Sequence, residues 1–174
     1  MNLFPNTKLY FVTRPKHIAA AIEVNNKIYV LDQRLPIQKI TTWVKIQLYR
    51  CDSLEKYAIY KIIRKENGFD LQKEKIEKYI DKNLLNEEYT KPNWDNIVEE
   101  IYTAIDDKKP NFEFKLKNCA IWYDINDAII KESLYRCIKN ILRKEFCGNY
   151  SKIKNIELKQ KGNDIVVHLQ FEWG

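Results

Sequence analysis

Glycine and proline are scarce in this chain, at four and five of 174 residues, which leaves little room for long flexible linkers. Histidine is rarer still, with two copies, and none of the four cysteines (Cys51, Cys119, Cys137 and Cys147) stands in a CxxC pair. A zinc set built from cysteine and histidine is therefore not expected, and free thiols point to a reducing compartment. No stretch approaches the ~20 consecutive apolar residues of a membrane span. The opening segment Met1 to Asn6 has no basic run followed by an apolar one, so a cytoplasmic protein without a secretory leader is expected. There is no P-loop, no dinucleotide-binding fingerprint and no serine elbow, and no cofactor is expected. Internal repeats and low-complexity tracts are absent too.

What is present is the balance of a globular protein. Hydrophobic residues make up 45% and charged residues 31%, sufficient for one core or two small ones. The net charge is +6, with the excess toward the N-terminal end. A nucleic-acid surface would need a denser Lys/Arg stripe interleaved with aromatics or glycine, and none is visible. The expected partner is a protein or peptide.

Read along the chain, Leu9 to Thr13, His17 to Val24 and Lys27 to Leu31 are predicted strands, the last two joined by Asn25-Asn26. Both asparagines tolerate the positive φ of a two-residue hairpin turn. Asp52 with Glu55, followed by Leu54, Ala58 and Ile62 at helical spacing, predicts a helix that stops at Asn67-Gly68. A second helix is predicted from Asp70 to Asp81 and a third from Trp94 to Ile105, after Pro92. Asp106 to Pro110 is the best internal boundary. Beyond it, Asn111 to Tyr123 is β-rich and includes Cys119. A long helix follows, capped by Asp124, striped by Ile130, Leu134, Ile138 and Leu142 and closed by Gly148. Strands Lys154 to Gln160 and Ile165 to Trp173 form a last hairpin. The class is α+β. An N-terminal antiparallel β-hairpin unit spans residues 1–49, a helical segment 50–109, and a strand–helix–strand–strand module 110–174.

One pair of residues carries chemistry. With Asn25-Asn26 as a two-residue turn, paired positions sum to fifty-one. Ala19 then faces Asp32, and His17 and Asp32 become same-face diagonal neighbours, with Cβ atoms about 7 Å apart. A carboxylate there can hold one imidazole nitrogen and leave the other to act on a nucleophile. Ala19 and Ala21, small and on the same face, would admit a closely packed helix. His168 alternates with the apolar face of the last strand and is predicted to point outward. Trp43, Trp94, Trp122 and Trp173 are read as packing residues.

The run His17-Ile-Ala-Ala-Ala-Ile-Glu-Val-Asn-Asn-Lys-Ile-Tyr29-Val-Leu-Asp32, with the following Gln33-Arg34-Leu35-Pro36, resembles the transglutaminase-like superfamily, of the papain-like cysteine peptidase and acyltransferase type. The resemblance covers residues 8–37. It implies that His17 is the general base and Asp32 its orienting partner. It also implies a cysteine upstream, at the N-terminus of a buried helix that lowers its pKa. No cysteine precedes His17 in this sequence. Three expectations follow: a truncated half whose missing helix carried the cysteine, in this protein or on a second chain; a degenerate domain acting as a binding or scaffold protein; or a permuted cysteine hydrolase using Cys51, placed beside Arg50 and the predicted helix start at Asp52.

Overall fold

A computed structural model describes residues 7–33, 36–50, 56–78 and 93–173. The chain divides into two compact units, Met1–Glu88 and Tyr89–Gly174. Both pair antiparallel sheets with helices, an α+β architecture. The turn after Asp106 lies inside the second unit.

The first unit is a six-stranded sheet of order β4-β3-β2-β1-β5-β6. Its strands are β1 (Lys8–Arg14), β2 (His17–Val24), β3 (Lys27–Leu31), β4 (Gln38–Lys39), β5 (Lys56–Lys65) and β6 (Gly68–Lys78), with helix α1 (Ile40–Arg50) after β4. The β2–β3 turn has the geometry that Asn25-Asn26 predicts. Both residues have positive φ, 50° and 59°, as a type I′ turn requires. Strand register follows from it, with Ala20 opposite Leu31, Ala21 opposite Val30 and Val24 opposite Lys27. One face of the sheet is apolar by alternation. Tyr10 and Val12 of β1, Ala19 and Ala21 of β2, Val30 of β3 and Tyr57 and Ile59 of β5 are buried there with Trp43 and Val44 of α1.

Two predicted helices are strands. Residues 56–65 and 68–78 form a β-hairpin, with Lys65 opposite Gly68 and Glu66-Asn67 as the turn. Leu54, Ala58 and Ile62 have helical spacing, but Tyr57 and Ile59 alternate inward at the period of a strand. Aromatic and β-branched residues favour that pleated surface, and pairing with β1 completes it. Gly68 has φ 142°, a conformation open to glycine, so it opens a strand where a helix stop was expected.

The second unit contains helix α2 (Trp94–Asp106), β7 (Asn111–Leu116), α3 (Ala128–Glu145), β8 (Ile153–Lys161) and β9 (Asp164–Phe171). The sheet order is β7-β9-β8. The predicted stripe of α3 is buried at Ile130, Leu134, Ile138 and Leu142. Its cap is Asp127, whose side chain accepts from the backbone N–H of Ile129 and Ile130. Asp124 instead accepts from Asn126 N–H in the preceding turn. The helix ends at Glu145, ahead of Gly148. Cys119 lies in a short 3₁₀ turn after β7 rather than in a strand. No helix among the described residues is long and apolar enough to cross a membrane.

Candidate functional site

The β2–β3 register determines the site. Arg14 of β1 lies opposite His17 of β2, and Val12 opposite Ala19. Alternation along β2 and beyond β3 then brings His17, Ala19 and Asp32 to the face that also carries Arg14. His17 Nε2 and Asp32 Oδ2 are 3.0 Å apart. The carboxylate is almost closed off, its side chain 4% exposed, while the His17 side chain is 31% exposed.

Helix α1 builds the wall behind the pair. Trp43 Nε1 donates to Asp32 Oδ2 at 2.9 Å, and Gln47 Nε2 approaches the same oxygen at 3.4 Å. Gln47 Oε1 accepts in turn from Arg14 Nε at 3.0 Å. Trp43 and Gln47 are each 1% exposed, so the network is shielded from water and its electrostatics are strengthened. The Trp43 ring also stacks on the imidazole, with centroids 6.1 Å apart and planes 21° apart. Position and tilt of His17 are thus held by one hydrogen bond and one aromatic face.

These partners dictate the tautomer. An indole N–H can only donate, and an ionised carboxylate can only accept. Asp32 Oδ2 therefore acts as an acceptor, and the proton between it and His17 belongs on Nε2. Nδ1 has no hydrogen-bond partner among the described residues. With the proton on Nε2, Nδ1 is the ring nitrogen whose lone pair can accept a further proton.

No nucleophile stands beside it among the described residues. Cys51 lies outside them. The helix invoked to activate it would run through residues that form β5, and the helix that precedes it, α1, ends at Arg50. The remaining cysteines belong to the second unit. Burial, with a smaller contribution from Asp164, pushes the Cys119 thiol up to about 11. Burial also raises that of Cys137. Both are kept protonated and unreactive at neutral pH. Cys147 is exposed, and its thiol donates to the Lys144 carbonyl at 3.4 Å.

The face beside Ala19 and Ala21 is not an open groove. These alanines are 5% and 1% exposed and share one buried cluster with Trp43 and Val44. The small residues do admit a helix to that cluster, but the helix is α1, downstream of Asp32. Sequence reasoning missed α1, and with it Gln47 and the polar role of Trp43. Ile40, Trp43, Val44 and Gln47 recur at helical spacing, and that signal was available. Gln38 was missed too. It lies opposite Val30 on the site's face, fully buried, and neither amide atom has a hydrogen bond among the described residues. His168, as expected, sits on the outer face of β9, where Nδ1 meets Glu113 Oε1 at 3.1 Å.

Comparison with known proteins agrees with this geometry. A family profile described as a transglutaminase-like domain matches residues 3–64. Uncharacterized protein MJECS12 of Methanocaldococcus jannaschii is 87% identical over 67 residues, covering 38% of this chain and 96% of that protein. UPF0252 protein MJECL39 of the same organism is 28% identical over 181 residues, covering 96% of this chain and 47% of that protein. The chain thus spans about half the length of the latter relative. No solved structure matches it. With a histidine and an aspartate joined across the hairpin and a matching family profile over the same strands, the chain belongs, through residues 3–64, to the transglutaminase-like family.

Proposed function

We propose that the first unit is the histidine–aspartate half of a thiol-dependent acyl-transfer or amide-hydrolysis site, and that this chain alone does not turn over substrate. The observation that carries the proposal is the imidazole held through Nε2 by a buried carboxylate with Nδ1 left open. In this reading His17 Nδ1 takes the proton of a cysteine thiol, and the thiolate attacks an amide carbon. The leaving amine departs with that proton, leaving an acyl thioester for water or an amine to resolve. Asp32 stabilises the imidazolium, and Trp43 and Gln47 hold Asp32. The cysteine comes from another segment, in a longer protein or on a second chain. The length of MJECL39 beyond the matched region supports the first source.

The test is a cysteine-directed vinyl-amide probe on the full chain and on His17→Ala. Labelling of any cysteine is expected to be the same in both proteins. Labelling of Cys51 that disappears in His17→Ala would overturn the proposal and favour a permuted hydrolase.

A second reading, a non-catalytic binding or scaffold protein that keeps the fold, draws on the closed face at Ala19 and Ala21. Full cellular function in a His17→Ala, Asp32→Ala double variant would favour it. Loss of function with the fold intact would favour the catalytic half-site.

A further inference from the structure

Among the described residues, the sheet of the second unit ends on an open edge. β8 has β9 on one side and no described strand on the other. The Gly162-Asn163 turn closes on the pair Lys161 and Asp164, so Lys161, Lys159 and Glu157 direct their backbone groups toward β9. Ile156, Leu158 and Gln160 direct theirs outward. Among the described residues no backbone bond reaches those outward groups. Alongside them a groove of about 480 Å³ runs between β8 and α3, bordered by Ala128, Lys131, Glu132 and Tyr135.

The sequence along this edge is complementary to itself. Set two copies antiparallel about a two-fold axis at Leu158. Leu158 then pairs with the partner's Leu158, and Ile156 with the partner's Gln160, as hydrogen-bonded pairs. Glu157 then faces the partner's Lys159, and Lys159 the partner's Glu157, in the closer non-hydrogen-bonded positions. Both side chains stand on the solvent face. Lys159 already reaches Glu157 within one chain at 3.1 Å, and a second copy would close the two charges of each chain into an alternating ring of four. Centring on Glu157 or Lys159 sets like charges opposite each other, and centring on Gln160 opposes Lys159 to Lys161. The Leu158 register avoids all of these. On α3, Lys131 and Glu132 offer the same mixture of signs where the two grooves meet.

We propose that β8 is a homodimer interface, pairing with β8 of a second copy in the Leu158-centred register to form one continuous six-stranded sheet. About six inter-chain backbone hydrogen bonds would form, and the edge that would otherwise recruit other strands would be covered.

The test is sedimentation equilibrium of the full chain over a range of concentrations, with circular dichroism as a check on folding. A monomer–dimer equilibrium is expected. Lys159→Glu and Glu157→Lys, each alone, should weaken it by roughly tenfold or more, because symmetry repeats each like-charge contact. The double exchange, Glu157→Lys with Lys159→Glu, should restore it. A monomer at all concentrations would overturn the proposal. So would a dimer indifferent to the single substitutions, or one that the double exchange fails to rescue.

Discussion

At the scale of residues, the site depends on one carboxylate. Asp32 Oδ2 collects the His17 imidazole, the Trp43 indole and the Gln47 amide in a setting almost free of water. Removing it leaves buried donors without an acceptor, which is more damaging than losing one exposed bond. Asp32→Ala is expected to destabilise the first unit by about 2 kcal/mol. Faster hydrogen exchange over β2 and α1 would register it. Exchange unchanged from the parent would mean that the network carries no stability.

At the scale of elements, the hairpin turn sets which residues meet. Because strand side chains alternate, a one-residue slip carries Asp32 to the opposite face from His17. Inserting one glycine between Asn25 and Asn26 is therefore expected to break the His17–Asp32 contact. The cross-strand contacts seen by NMR should shift from Ala21–Val30 to a new pairing, and retention of the old register would contradict the account. The same alternation explains what was legible in the sequence. Asn25-Asn26 specifies a local turn, so strand pairing and the His17–Asp32 contact could be derived by counting. The stripe of α3 was equally legible, since Ile130, Leu134, Ile138 and Leu142 keep one period for the whole helix. Residues 56–78 misled because their apolar spacing fits two periods, and partner strands, which the local sequence does not reveal, decide between them. Gln47 and the polar role of Trp43 were overlooked because both depend on α1 folding back over the sheet, a tertiary fact.

At the scale of the whole molecule, the thiols that could be mistaken for a nucleophile are distributed by burial. Cys119 is fully buried and its pKa is pushed up to about 11, so below that pH it stays a thiol. Cys147 is exposed. Brief alkylation of the folded chain at mildly alkaline pH should modify Cys147 and spare Cys119 until denaturant is added, as peptide mass spectrometry would show. Modification of Cys119 in the folded protein would contradict its full burial. The family assignment and the proposed half-site converge on the ring state of His17, and two histidines make that state readable. ¹⁵N NMR of the imidazoles, with His17→Ala for assignment and at a pH where both rings are neutral, reports which nitrogen carries the proton. His17 is expected to be protonated at Nε2 and bare at Nδ1, with this preference lost in Asp32→Asn. A proton on Nδ1, or a preference that survives loss of the carboxylate, would contradict it.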